Sequence, residues 1–182
     1  MIKTKADLKR CLDTEKKFYI NDTQKAKLNA WFFKEPMLYL YRFVKHLRCE
    51  EYHHNNGGLL HKVMYVIHRK KRTRLGIKLG IDTFDNVFDE GLMIWHAGNI
   101  VVNGHTKVGK NCTLHGSNCI GNNGLSSQCP VIGDNVRVGV GAKVIGGITI
   151  ADNIKIAAGA VVVHSFLEEG ITIAGVPAKK VK

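Results

Sequence analysis

Proline is scarce in this sequence, 3 in 182 residues, and no apolar run approaches the roughly 18 residues that a membrane-spanning helix needs. Contact with a membrane could therefore only be peripheral. The five cysteines, Cys11, Cys49, Cys112, Cys119 and Cys129, are odd in number and contain no Cys-x-x-Cys pair, which excludes a disulfide framework. Residues 1–10 are charged and lack the apolar stretch of a secretory leader, so a reduced, cytoplasmic protein is expected. The nine histidines, His53-His54 included, show no metal-ligand spacing within the sequence, and no metal is expected.

Two further scarcities divide the chain. Before position 76 the only glycines are Gly57 and Gly58, while the other 17 follow. Acid is scarce in the same part: residues 1–80 hold 19 Lys/Arg against 7 Asp/Glu, whereas residues 81–182 hold 8 of each. The whole net charge of +12 belongs to the first part. Two regions follow, a basic α-helical one over residues 1–75 and a glycine-rich one over 76–182.

In the first region apolar residues recur at spacings of three and four: Leu28, Trp31 and Phe32, then Leu38 and Tyr41, and later Leu59, Val63, Val66 and Ile67. Three or four helices are predicted. Asp22 is read as a cap, Pro36 as a helix start, and Asn55-Asn56-Gly57-Gly58 as a break before a last helix over 59–74. That helix ends in the basic run His68-Arg69-Lys70-Lys71-Arg72-Thr73-Arg74, read either as a solvated face or as a contact for an anionic membrane or lipid-linked precursor.

What is present in the second region is a repeat of six. Stepping from Val102 gives Val108, Leu114, Ile120, Ser126, Ile132, Val138, Val144, Ile150, Ile156 and Val162, aliphatic at every position but Ser126. A helix would carry successive members about 600° around its axis onto different faces. Short strands separated by turns fit the period, three strands making one coil of a triangular prism, with coils stacked about 4.8 Å apart. An antiparallel sandwich would alternate with period two and would lose this phase.

Three residues on in each hexad stand His105, Asn111, Ser117, Asn123, Cys129, Asn135, Gly141, Gly147, Asn153, Gly159 and Ser165. Most of these types tolerate a left-handed backbone, which suits a corner. Thr106, Cys112, Val136, Ala142 and Ala160 are small enough to fill the narrow interior. Around Ser126, residues 122–130 are polar and keep the count while breaking the chemistry, so a loop is predicted there.

The hexads Val108-Gly109, Ile120-Gly121, Ile132-Gly133 and Val138-Gly139, followed by Ala174-Gly175-Val176-Pro177-Ala178, resemble the hexapeptide-repeat acyltransferases. Among these the serine acetyltransferases and related polysaccharide O-acetyltransferases are most similar. The resemblance implies a mainly β fold, a left-handed parallel β-helix preceded by a small helical region, and acetyl-CoA as cosubstrate. Ile94-Trp95-His96-Ala97-Gly98-Asn99-Ile100-Val101-Val102 resembles the family's Leu-Asp-His-Ala-Thr-Gly-Ile-Val-Ile segment, which implies His96 as general base. Gly80-Ile81-Asp82 resembles the motif whose carboxylate partners that histidine, which implies Asp82. An imidazole titrating near neutrality suits the removal of a hydroxyl proton during attack on a thioester.

His115 competes for the role, being next to an inward-facing Leu114 and so projecting outward. By the same resemblance CoA runs past Gly121-Asn122, Gly139-Val140 and Ala157-Ala158, with Lys155 and Lys179 for its phosphates. Trp95 stands where the serine enzymes carry Asp, Gln128-Cys129-Pro130 replaces their Arg-His-Pro, and the loop is shorter. Trp95, His115, Gln128 and Cys129 are therefore candidate acceptor contacts. These departures favour a sugar hydroxyl as acceptor, on a capsule, exopolysaccharide or lipopolysaccharide precursor, over serine O-acetylation in cysteine synthesis. The resemblance also implies direct transfer, so Cys129 is not needed as a nucleophile. A homotrimer is expected because the groove needs a neighbouring copy. A non-catalytic trimeric scaffold or a nucleic-acid module are readings of another class, the latter without a recognition motif and so without specific nucleic-acid binding.

Overall fold

The computed structural model describes residues 1–20, 23, 32–33 and 35–182, in two compact units, Met1–Gly80 and Ile81–Lys182. The predicted Asp22 cap, Leu28 and Trp31 lie outside the described residues.

Three long helices are described in the first unit: α1 (Lys5–Tyr19), α2 (Pro36–His54) and α3 (Leu59–Leu79). α1 opens on a capping box in which Asp7 N donates to Thr4 Oγ1 and Thr4 N to the Asp7 carboxylate, both at 3.0 Å. The Thr4 hydroxyl also donates to that carboxylate and is the main reason its pKa is held down at about 2. Pro36 sits in the first turn of α2, where its missing N–H is no loss. The break at 55–58 falls where predicted. α3, however, runs past Arg74 to Leu79 and ends at Gly80 in a left-handed conformation, φ 65°. Nothing in Leu75-Gly76-Ile77-Lys78-Leu79 stops a helix, so the boundary expected at 75/76 falls inside α3, and the units divide at 80/81.

Leu40, Phe43, Val44 and Leu47 of α2 form the apolar centre of this unit. Beside them lies a buried ion network. Arg48 donates to Glu15 of α1 at 2.6 Å and to Glu51 at 3.0 Å. Burial by itself would lower the pKa of Arg48, but the attraction of Glu15, with Cys11 and Glu51 adding, raises it. Arg72 of α3 is held by Glu50 of α2 and is also buried, and Arg69 lies over the Tyr65 ring. The basic run is thus only partly a solvated face, because one of its cations is a fastener between two helices.

The second unit is a left-handed parallel β-helix with three faces. The first face stacks β1 (Ile81–Asp82), β3 (Ile100–Val102), β6 (Cys119–Gly121), β9 (Lys143–Ile145) and β12 (Val161–Val162). The second stacks β4 (Lys107–Val108), β7 (Val131–Ile132) and β10 (Thr149–Ile150). The third stacks β2 (Met93–Ile94), β5 (Thr113–Leu114), β8 (Arg137–Val138), β11 (Lys155–Ile156), β13 (Thr172–Gly175) and β14 (Ala178–Lys180). All neighbours are parallel except β13 and β14, a hairpin through Val176-Pro177. The ten aliphatic hexad residues are at most 4% exposed, and the five small interior residues are buried as well.

Register reports the loop. Val138 pairs with Ile156 and Val144 with Val162, a step of three hexads and so of one plain coil. Across the loop, Val108 pairs with Ile132, Leu114 with Val138 and Ile120 with Val144, a step of four hexads. The extra hexad is carried by the exposed segment around Ser126. The corners are more selective than predicted. Asn111, Ser117, Asn135, Gly141, Asn153 and Gly159 have positive φ, whereas His105, Asn123, Cys129, Gly147 and Ser165 do not. All five exceptions lie at the corner leading from the first face to the second, where the loop also emerges. At His105 a side-chain turn replaces the left-handed backbone, since Asn103 Oδ1 accepts from His105 N at 3.0 Å.

Candidate active site

The site grows from the corner that leads from the third face to the first. Each coil continues one residue beyond its third-face strand in ladder geometry. Trp95 N donates to Leu114 O, His115 N to Val138 O, Gly139 N to Ile156 O and Ala157 N to Ile173 O, at 2.9–3.1 Å. The same corner of successive coils therefore carries Trp95-His96, His115-Gly116, Gly139-Val140 and Ala157-Ala158. Apart from Gly116, all of these were expected at the site, and the fold brings them together along one edge.

At the lower end of that edge the Trp95 and His115 rings stack, 19° from parallel with centroids 6.2 Å apart. His96 is exposed beside Gly116. Gly116 has φ 106°, which favours glycine there, and an added Cβ would sit tightly, 3.3 Å from both the Cβ and the carbonyl oxygen of His96. Asn118, fully buried, accepts from Gly116 N at 3.0 Å and donates to Gly139 O at 2.7 Å, fixing the turn beneath the two histidines. Burial first, then the Arg137 charge and His96, push the pKa of His115 below the ordinary histidine value. Near neutral pH His115 is an uncharged imidazole. Gly116, Asn118 and Arg137 escaped the sequence reading; the Gly after His115 was the one available signal, while Arg137 reaches the site only through the longer register across the loop.

Other expected residues stand apart. Asp82, exposed on β1, pairs with Val101, and no hydrogen bond or ion pair joins it to His96 among the described residues. Gln128 and Cys129 belong to the next corner, where with His105, Ser127, Val131 and Thr149 they line an open hollow of about 460 Å³. The Cys129 thiol donates to Ser127 O at 3.6 Å. Gly121-Asn122 ends β6 and leads to that same second corner. Lys155 and Lys179 are exposed on the last strands of the third face. Gly139 has a structural reason of its own, because a Cβ there would lie 2.6 Å from Ala158 N of the next coil. Among the described residues, no group of three or more His, Cys, Asp or Glu side chains is arranged to hold a metal ion. No described helix is long and apolar enough to cross a membrane.

Above the Trp95-His96 level the residues of this edge are mostly small, Gly116, Gly139 and Ala157-Ala158, and Lys155 and Lys179 are exposed on strands of the adjoining third face.

No family model matches the sequence. A serine acetyltransferase of Helicobacter pylori is 32% identical over 160 residues, 86% of this chain and 88% of that protein. Among solved structures, the Neisseria gonorrhoeae serine acetyltransferase in complex with serine is 25% identical, covers 98% of this chain and 70% of its own, and superposes with a TM-score of 0.70. A serine acetyltransferase in complex with CoA, 20% identical, covers 97% of this chain and 71% of its own, with a TM-score of 0.72, and speaks for the fold. With sequence identity running through nearly all of both chains, and with the repeat fold beneath it, the chain belongs to the serine acetyltransferase family, acyltransferases whose acetyl donor is acetyl-CoA.

Proposed function

We propose that the protein acetylates the hydroxyl of serine, with His96 as general base. The observation that carries the acceptor is the likeness to the Helicobacter pylori enzyme over 86% of this chain, and the serine-bound Neisseria gonorrhoeae protein supports it. The sugar hydroxyl expected from Trp95 finds no support in these relatives.

The acceptor oxygen attacks the thioester carbonyl carbon as its proton passes to the His96 imidazole. The carbon–sulfur bond then breaks, and the sulfur leaves as the CoA thiol after receiving a proton. His115, whose proton affinity is lowered by burial, then by Arg137 and His96, stands next to a base that becomes positive, and the like-charge repulsion disfavours a second proton on the pair. Asp82 enters as the carboxylate on the strand below β3, one coil away, and orients His96 only once a ligand or neighbour draws them together. The CoA arm runs along the edge from Gly116 past Gly139-Val140 and Ala157-Ala158 toward Lys155 and Lys179.

A homotrimer belongs to the same reading. Trp95, His96 and His115 occupy one corner of the prism, and Gln128, Cys129 and Gly121-Asn122 another, so a second copy must bring its second corner to this first one to complete the acceptor site. Thiol release from acetyl-CoA, measured against serine, nucleotide sugars and oligosaccharides, is expected to rise with serine and remain at background with the sugars. Turnover on a sugar with serine at background overturns the acceptor. A fully active monomer in sedimentation overturns the trimer.

A further inference from the structure

His46 and His53 are seven positions apart on α2, and His61 and His68 are seven apart on α3. That separation is close to two turns, so each pair shares a helix face. The hairpin brings those faces together. His46 Nδ1 lies 3.0 Å from His68 Nδ1, and His53 Nδ1 lies 3.0 Å from His61 Nδ1. Between the two couples the His53 and His68 rings stack at 5.6 Å, and the Tyr52 ring meets His61 at a steep angle. All four imidazoles are half-buried.

Two ring nitrogens at this separation, 3.0 Å, make a hydrogen bond only while one of them lacks a proton. A couple with both imidazoles charged has protons on both nitrogens, and its contact turns repulsive. The surroundings make even the first charge costly. Arg42 and Lys45 on α2 and Lys71 on α3 bear on His46 or His68, Arg69 lies on the same helix as His68, and the Tyr52 ring packs against His53 and His61. The carboxylates of α2 are already engaged, Glu50 by Arg72 and Glu51 by Arg48. Burial first lowers His46, His53 and His68; Lys71, Lys45 and Arg42 lower His46 further, His61 lowers His53 further, and His46 and His53, then Lys71 and Lys45, bring His68 to about 4.

We propose that the α2–α3 hairpin is a proton-operated clamp, closed by four neutral histidines and loosened when they are protonated, while the β-helix stays intact. In an opened hairpin the imidazoles titrate near their ordinary value of about 6.5. The open form therefore binds more protons in the window between that value and the lower ones of the closed form. The stability supplied by the cluster is complete above about pH 6.5 and declines as pH falls toward the value of about 4 held by His68.

Hydrogen exchange of the full chain in EDTA, at about pH 7.5 and about pH 5.5 and corrected for the intrinsic rate, tests this. Peptides of α2 and α3 are expected to lose about tenfold or more of their protection at the lower pH, with β-helix peptides changing by less than about twofold. His46→Gln/His68→Gln is expected to lose most of that response. Unchanged protection in the parent, or an equal drop in parent and variant, overturns the clamp. The parent also offers a reading that does not depend on the variant folding: NMR titration of its histidines is expected to show at least three below the ordinary value, and titration of all four at or above it overturns the proposal.

Discussion

In the helical unit Glu15, Arg48, Glu50, Glu51 and Arg72 are all buried, whereas the β-helix buries no described charged residue and only Thr83, Thr106 and Asn118 among its polar ones. The two units are close in length, yet their interiors obey different rules. A coil of the β-helix presents the same slot every hexad and can fill it with Val, Ile or Leu, because its strands are hydrogen-bonded to those of the coils above and below. The three helices have no such shared template. Their packing is made specific by individual charged and imidazole pairings, each between two particular residues. The proposed chemistry on substrate sits on the repetitive unit and the proposed sensitivity to protons on the other.

Substitutions in each unit test this contrast, and the largest effect is expected at the site. His96→Ala, on the edge of the β-helix, is expected to lower turnover about 10²- to 10⁴-fold while acetyl-CoA affinity and the melting of both units stay near the parent's. Steady-state kinetics with direct CoA binding reads this, and a dead His115→Ala beside an active His96→Ala reverses the assignment. Arg48→Met leaves Glu15 and Glu51 buried without their cation and is expected to cost the helical unit about 3–5 kcal/mol. Denaturant unfolding followed by exchange in α1 and α2 measures it, with the β-helix as internal reference.

Ile120→Ala removes a side chain 1% exposed at the centre of the prism and is expected to cost about 2–4 kcal/mol. Loss confined to exchange in β3, β6 and β9 fits nearest-neighbour stacking, and a loss spread equally over every coil contradicts it. Asn135→Ala is the mildest. Asn135 has φ 58°, and its side chain bridges Asn111 and Asn153 at 3.0 and 3.1 Å, so about 1–2 kcal/mol is expected. Asn135→Gly is expected to recover the backbone part alone, and thermal melting of the three proteins separates strain from the side-chain ladder.

Much of the β-helix was legible because its determinants are local. The hexad phase from Val102 to Val162 and the hexad looped out at Ser126 need only spacing and residue type. The corners were legible in part. Asn111, Asn135 and Asn153 announce a left-handed backbone, but Cys129 and Gly147 occupy a corner whose geometry is set by the loop beside it. In the site, His96 was readable through its surrounding segment, whereas the stacking of Trp95 on His115 was not, since it depends on the pairing of β2 with β5 in the next coil. The histidine cluster was invisible for a related reason. Spacing within one stretch of chain cannot show side chains that meet across an antiparallel hairpin.

The repeat, the two-part division and the loop follow from the order of residues alone, because periodicity, charge and left-handed tolerance belong to residues near one another in the chain, whereas the candidate base was implied by the resemblance of its segment to a known family. It took the folded arrangement to show that Arg72 fastens Glu50 instead of facing solvent, that Arg137 and His96 both act on His115, that Gln128 and Cys129 stand at a different corner from His96, and that four histidines meet between two helices. Each of these depends on register, three or four hexads between coils, or two helical turns along paired helices. Register is set by the packing of whole elements, which no short stretch of sequence contains.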